Sequence, residues 1–534
     1  MASRLLVLLA ALVLFALRAF ARFRRAVHAV SNHPGYRTLL NTLGPIENFF
    51  PRIPGVAPGA FHMWKRKHRD FEEHGWDVIT YPPQVAAFIG SSTNFYVADA
   101  DVIKEITTHR SRFPKPIEQY KVLTFFGGNI VASEGEHWKR YRKIAAPAFS
   151  ERNNKLVWDE TRLIMQDLFT NVWGERAEIY VDHAVDITLP IALFVIGVAG
   201  FGRRIPWQDE DVVPAGHTMT FKARAPAFLP VSRRPTALHT VSENVFTRLL
   251  IPDWLLRAAP TARLARIRDA FAELEQYMRE MIRARRERPA REERHDLFSS
   301  LLDASKDADV RLQDSELIGN MFIFMLAGHE TTAHTLCYML AMLAMHPEVQ
   351  DKMYESIRGV TQNGRLPEYE DMRSLSYCEA VLYETLRMFP PVNSIPKSVA
   401  EDTAITITNA DGERTTVPMP KGSSISIHTP GLHYNPRYWP DPHTFRPERF
   451  LAADWPRDAF LPFSAGPRAC LGRRFSETES VAAAAMLVLR YRIAVADEPR
   501  FAGEGARARF ERVTASRPGV TMTPTRVPLV FRRR

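Results

Sequence analysis

The chain has 534 residues, 46% of them hydrophobic and 24% charged, a balance that excludes a disordered or fibrous protein and can bury a sizeable core. Its three cysteines, Cys337, Cys378 and Cys470, are odd in number and far apart, which excludes a disulfide framework and points to a reducing compartment. The net charge of +10 is spread along the chain, and its densest basic run, residues 283–294, also carries Glu287, Glu292 and Glu293. That run reads as a solvated helix end, so no nucleic-acid partner is expected; a membrane surface or an acidic protein explains the excess better.

Residues 5–17 are uninterrupted apolar sequence, preceded by Arg4 and followed by Arg18, Arg22, Arg24 and Arg25. The run is shorter than the roughly 20 residues of a standard span, but Arg18 can snorkel and residues 19–21 extend it. A cleavable signal peptide is the rival reading, since Ala19-Phe20-Ala21 has the small-x-small form of a cleavage site. The basic cluster directly after the apolar run favours an uncleaved anchor whose far side stays cytosolic. Pro45, Pro51 and Pro54, with Gly35, Gly44, Gly55 and Gly59, then predict a stiff non-helical connector.

Short β-branched and aromatic runs at residues 85–89 and 95–97 predict strands of a small sheet. From residue 102 to about 400 helical periodicity dominates, and residues 403–408 and 423–427 again read as strands. No internal repeat or inter-domain linker follows the connector. The expected organisation is an anchor at residues 1–25, a connector at 26–60 and one large body at 61–534. That body is mainly α with small β-sheets.

The clearest helix begins near Asp314, Ser315 and Glu316, acceptors suited to a cap and first turn. It runs through Leu317, Met321, Phe324, Gly328, Leu336 and Leu340 and stops before Pro347. Being apolar on nearly every face as far as Met325, it should cross the core. In its middle stands A-G-H-E-T-T, residues 327–332. His329 and His334 are five apart, about 140° around a helix, so they cannot face one zinc ion. Gly328 and Thr331 loosen the backbone ladder, because a threonine hydroxyl competes for the carbonyl one turn back. A groove there could hold a small ligand and a water, with Thr331 donating a hydrogen bond and Glu330 relaying protons from solvent. On these residues alone, a kink with a satisfied threonine is the competing reading.

Near the C-terminus stands F-S-A-G-P-R-A-C-L-G, residues 463–472. Glycines on both sides of Cys470 let the backbone curl around the sulfur and turn amides toward it. Such donors, with a metal, keep a thiol deprotonated, and Arg468 can reach an acidic group of a bound cofactor. With this stretch the chain resembles the cytochrome P-450 superfamily of heme-thiolate monooxygenases, whose signature is F-x-x-G-x-R-x-C-x-G. The resemblance covers nearly the whole chain after the anchor.

It implies heme b (iron protoporphyrin IX) with Cys470 as axial iron ligand, and Phe463, Arg468 and Gly472 as cofactor-binding residues. It also implies Glu330 and Thr331 as the acid and threonine of oxygen activation. Trp138 and Arg142, in W-K-R-Y-R, match the family's W-x-x-x-R pattern for a heme propionate. On the residues alone, an amphipathic helix with a buried tryptophan fits them equally well. Lys397 stands where many relatives carry a propionate-binding arginine. Glu384 and Arg387, in E-T-L-R, with Arg449, in P-E-R-F, match the structural Glu–Arg–Arg cluster that supports the cysteine segment.

Further implications are a lipophilic small-molecule substrate, electrons from a separate NADPH-dependent flavoprotein reductase, and a single-pass place in the endoplasmic reticulum membrane with the catalytic body cytosolic. The style of sequence resembles fungal microsomal members, many of which act on terpenoids or other secondary metabolites. Lys139, Arg140, Lys143, Arg473 and Arg474 are expected to form a basic docking patch for the reductase. An isomerase or dehydratase acting on a peroxide, without dioxygen or reductase, is the alternative enzyme class.

Overall fold

The computed structural model describes residues 2–37, 53, 55, 65–81, 93–205, 207, 237–287, 296–304, 312–361, 364–409, 411–517 and 519–534. The predicted strand at 85–89 and most of the connector lie outside these residues. The chain folds into two compact units built from interleaved segments. One comprises Met1–Pro116, Leu386–Phe445 and Asp454–Cys470; the other comprises Ile117–Thr385, Arg446–Ala453 and Leu471–Arg534.

The first unit begins with a helix, Ala2–Ala29, that runs past the boundary expected at residue 25. Residues 22–29 contain no breaker. The helix stops only where Ser31 and Asn32 turn left-handed, with φ of 53° and 55°, and the Asn32 amide donates back to the Val27 carbonyl at 3.0 Å. Its apolar side chains, Leu5, Leu6 and Leu12 among them, stand exposed. Within the 26 residues Arg4–Ala29 an 18-residue window reaches a mean hydropathy of 2.3, and the helix is long and apolar enough to cross a membrane.

The same unit holds a four-stranded sheet in the order Val78–Tyr81, Asn94–Val97, Ser424–His428, Ser394–Ser398. The middle pair is parallel and the outer pairs antiparallel. Thr403–Thr408 pairs with Arg414–Met419 in a separate hairpin. The strands expected at 95–97, 403–408 and 423–427 are therefore present within one residue.

The second unit is built around the helix Asp314–Met345, 32 residues long. Its N-cap is Gln313, one residue earlier than Asp314, in a capping box with Glu316. Glu316 does more than cap. It accepts hydrogen bonds from Arg140 and from the Tyr141 hydroxyl (2.7 Å). One turn on, the Asn320 side chain accepts the Ile130 amide at 3.0 Å. A Cβ on Gly319 would lie 2.6 Å from the Gly127 carbonyl, so backbone meets backbone there. The helix ends at Met345, and Pro347 opens the next helix at its N-terminus, where a missing amide costs nothing.

Against the long helix lies Val185–Val195, which continues into a π-helical turn, Ile196–Gly200. The helix Arg473–Arg490 packs on the long helix and on Glu151–Asp167. Phe126 belongs to the core: its ring stacks on Phe271, and its centroid lies 4.6 Å from that of Phe322. Among the described residues of the basic run, 283–287, two arginines are paired. Arg285 is held by Asp296 (3.1 Å) and Ser299, and Arg286 by Asp314 (2.6 Å).

Glu479, on the helix after the cysteine, is fully buried, and no described residue hydrogen-bonds either carboxylate oxygen. Burial pushes its carboxyl well above the ordinary range. A carboxyl raised in the folded state stabilises below its unfolded value and loses that contribution as pH rises through the folded value. Glu479→Gln is therefore expected to flatten the fall in stability above the usual carboxylate range and to leave acidic stability unchanged. Denaturation midpoints across pH check this; parallel curves would show that Glu479 is ionised in the fold.

Candidate active site

Two of the three cysteines are fully buried, and burial pushes the Cys378 thiol up to about 12 and the Cys337 thiol higher still. Cys470 is exposed. It closes a tight loop in the first unit, its amide donating to the Phe463 carbonyl at 2.9 Å and the Ala469 amide to the Gly466 carbonyl at 3.0 Å. Ser464 and Gly466 both have left-handed φ, 59° and 64°. A Cβ on Gly466 would lie 2.6 Å from the Thr107 carbonyl oxygen, so this corner admits only glycine without backbone movement. The helix that follows begins at Arg473, and the positive end of a helix favours anionic groups just ahead of it.

What holds this loop was only half visible in the sequence. Arg387 is fully buried and donates to the carbonyls of His433 (2.8 Å) and Pro442 (2.9 Å), with its guanidinium over the Tyr434 and Trp439 rings. His433 hydrogen-bonds the Arg387 carbonyl through Nδ1 (3.0 Å) and accepts the Leu461 amide at Nε2 (2.8 Å). That pattern fits only a neutral ring, and burial beside Arg387 lowers its pKa to about 3. Leu461 stands two residues before the loop. His433 carries no sequence signal of its own, because its partners lie 46 residues before it and 28 after it.

In the second unit, Glu384 is also fully buried; its Oε1 accepts the Arg446 amide (2.9 Å) and Arg449 Nε (3.1 Å). Removing one partner of such a pair leaves a desolvated charge, typically at a cost of about 3–5 kcal/mol. Arg449→Ala should lower unfolding stability by about 3 kcal/mol or more. An equilibrium denaturation curve within 1 kcal/mol of the parent, as an order of magnitude, would show the pair to be dispensable.

Residues 317–343 of the long helix are buried at all but three positions, Ala327, Gly328 and Thr331. These lie at i, i+1 and i+4, on one face. Between Leu326 and His329 the helix thus opens a small window in an otherwise closed wall. The helix is continuous here. A Cβ on Gly328 would lie 3.1 Å from Ile196 Cδ1; the missing side chain seats the π-helical turn. The Thr331 hydroxyl donates to the Ala327 carbonyl at 2.7 Å, one turn back.

Glu330 points elsewhere. It is 6% exposed and accepts the Ser242 hydroxyl at 2.5 Å. Burial raises its carboxyl above the ordinary range, against the Ser242 hydrogen bond. His329 is buried, and His334 Nδ1 meets the Thr521 hydroxyl at 2.8 Å.

Residues 63–504 match the family described as Cytochrome P450. The chain belongs to the cytochrome P450 family. It is 52% identical over the full length of both chains to cytochrome P450 monooxygenase 124 of Postia placenta. It is 30% identical to cytochrome P450 monooxygenase ORF6 of Penicillium roqueforti, over 81% of this chain and 78% of that one. Cyclooctat-9-en-7-ol 5-monooxygenase of Streptomyces melanosporofaciens is 27% identical over 83% and 90%. The fold matches the crystal structure of the cytochrome P450DA heme domain with a TM-score of 0.70 at 21% identity, covering 94% and 97% of the two chains.

This P450 is therefore a monooxygenase of fungal-like sequence, and the family implies a heme-iron cofactor, a redox partner and a lipophilic substrate. The residues fit the cofactor: one accessible thiol in a glycine-turned corner, and two other thiols that burial keeps protonated. Trp138 is buried in the helix Gly135–Ala145, with the Arg142 guanidinium 5.7 Å from its ring centroid. Lys397 is buried in the four-stranded sheet opposite Ile425. Phe463, Arg468 and Gly472 are all partly accessible around the cysteine corner.

The expected basic patch is largely neutralised. Lys139 pairs with Glu136 (2.6 Å), Arg473 with Glu477 (2.8 Å), and Arg474 with Glu379 and Glu477 (3.7 and 3.5 Å). Arg140 is bound to Glu316, the capping residue of the long helix. Reversing its charge would damage the helix start, so Arg140 is a poor probe of docking.

Proposed function

We propose that this P450 is anchored in the endoplasmic reticulum membrane by residues 1–25, joined through residues 26–60 to a cytosolic catalytic body at 61–534. It oxidises a lipophilic small molecule with a cyclic hydrocarbon skeleton, a terpenoid or similar secondary metabolite. It takes electrons from an NADPH-dependent flavoprotein reductase. The observation that carries the reading is the window at Ala327, Gly328 and Thr331: two groups without polar side chains and a single hydroxyl, in a helix otherwise closed. The relative named for cyclooctat-9-en-7-ol supports a ring-containing substrate.

Cys470 would hold the iron of heme b; Arg468, Trp138, Arg142 and Lys397 would hold its acidic groups, with Phe463 and Gly472 shaping the corner. When bound, the heme supplies the centre at which dioxygen is activated. The chain's own work is then threefold. The loop corner orients the Cys470 sulfur, and the Glu384–Arg449 pair and the Arg387–His433 contacts make their segments rigid. The window admits an apolar substrate and excludes bulk water. Thr331 and Glu330 hold and move protons, with Glu330 buried enough to keep a proton above the usual carboxylate range.

The test is reconstitution with a flavoprotein reductase, NADPH and labelled dioxygen against a panel of terpenoids and fatty acids. One labelled oxygen atom in the product is expected, with terpenoids preferred. Turnover of a peroxide without NADPH or dioxygen would instead establish the isomerase or dehydratase class.

A further inference from the structure

The acid of the long helix faces away from the window. Glu330, His334 and Tyr338 are spaced i, i+4, i+8 and form one buried polar stripe. Every member meets a hydroxyl from another element. Ser242, on the helix Ala237–Leu250, bonds Glu330 (2.5 Å); Thr521 meets His334 (2.8 Å); Ser516 meets the Tyr338 hydroxyl (2.5 Å). Thr521 lies between the paired strands Ser516–Arg517 and Thr523–Pro524. The next residue after Ser242 is Glu243, and the next after Ser516 is Arg517. These two join at 2.8 Å with side chains 40% and 54% exposed. Two of these partners, Ser242 and Ser516, thus adjoin a charged rim at solvent.

We propose that this is a proton inlet, in which Ser242 is the positioning residue for Glu330 and the Glu243–Arg517 pair forms the outer rim. The inlet rests on the reading of Glu330 and Thr331 as the proton-handling pair. Glu330 lies one residue from Thr331, about 100° around the helix, so its carboxyl must turn off Ser242 to hand a proton toward the window. In each exchange one proton leaves the Glu330 carboxyl for the Thr331 hydroxyl, which releases its own proton toward the window. The Ser242 hydroxyl passes its proton to Glu330 and takes one from solvent water at the rim. The side chains end the exchange with the protons they began with, and no electron moves.

The groups facing Glu330 set the direction of its titration. Burial and the Glu243 carboxylate favour the neutral form, while the Ser242 hydroxyl and Arg517 favour the anion. His334 and Tyr338 continue the stripe on its own helix. Ser242 thus makes ionisation, and so reloading, easier. Losing its hydroxyl should leave Glu330 protonated to higher pH and slow the exchange.

The test compares Ser242→Thr, which keeps the hydroxyl, with Ser242→Val, which has the same shape without it, both as full-length holoenzyme. Ser242→Val is expected to divert NADPH consumption toward hydrogen peroxide several-fold and to increase the solvent isotope effect on product formation; Ser242→Thr should behave as parent. A second readout is stability of the ferric protein against pH. Glu330 stabilises below its unfolded value, and that contribution falls as pH rises through the folded value. The fall should move to higher pH in Ser242→Val and disappear in Glu330→Gln. If Ser242→Val fails to fold, Ser242→Ala gives the same comparison, and the surface pair Glu243→Gln with Arg517→Gln tests the rim through coupling.

If Thr331→Ala and Glu330→Gln uncouple turnover while every Ser242 and rim variant matches the parent in coupling and pH midpoint, the inlet is wrong and the proton pair stands. If Thr331→Ala and Glu330→Gln leave coupling unchanged, the pair is wrong and the inlet falls with it.

Discussion

Cys470→His is expected to reduce monooxygenase turnover to background and to abolish the red-shifted Soret band that ferrous–CO heme shows only when a thiolate holds it. The effect should be this large because no other sulfur can substitute. Cys337 and Cys378 are fully buried, with thiols raised far from the range in which a thiolate forms. The imidazole would occupy a corner whose backbone is fixed by the amides of Cys470 and Ala469 and by Gly466 against Thr107. Heme incorporation should therefore fall as well, while secondary structure stays, since an exposed side chain contributes little packing. Retention of the red-shifted band in Cys470→His would refute Cys470 as the iron ligand.

Thr331→Ala is expected to separate NADPH consumption from product formation. Loss of a positioned proton donor typically costs about 10²–10⁴ in the step it serves, so productive turnover should fall roughly 10²-fold or more while hydrogen peroxide rises. The fold should barely respond. The Thr331 hydroxyl donates to the Ala327 carbonyl within its own helix, and losing such a bond costs about 0.5–1.5 kcal/mol at most. Stability and coupling thus move by very different amounts, which separates proton handling from structure. The ratio of product to NADPH, measured beside a denaturation curve, makes the comparison. An unchanged ratio would reduce Thr331 to an element of helix structure.

Removal of Glu479 or Arg449 acts through burial and not through chemistry. Neither site touches the window or the cysteine corner in the contacts described, so their effects should appear in stability first.

The turn at the cysteine was legible before any coordinates because its own backbone is local, although Thr107, Arg387 and His433, which brace it, are not. Two left-handed residues, an amide turned back on Phe463 and a helix start three residues later are all encoded within residues 463–473. The long helix was legible for the same reason. Its capping residues, unbroken apolar run and terminal proline lie along one stretch, and only the cap moved, from Asp314 to Gln313. Propensity and hydrophobic period act between near neighbours, so a sequence records them directly.

Partners distant along the chain leave no such record. Nothing near Ser242 announces a carboxylate 88 residues away, and nothing near His433 announces Leu461. The window at Ala327, Gly328 and Thr331 is likewise a matter of which face neighbouring elements leave uncovered, and the composition of the helix is silent on it. The same holds for charge. Arg140 and Arg474 look like free basic surface in the sequence, yet the fold brings Glu316 and Glu379 beside them, whereas Glu477 is a helical neighbour of Arg473 that the sequence already shows. Which chemistry the chain carries was written in short motifs. Which groups are buried, ionised or exposed depends on desolvation and long-range pairing, and these exist only once the chain has packed.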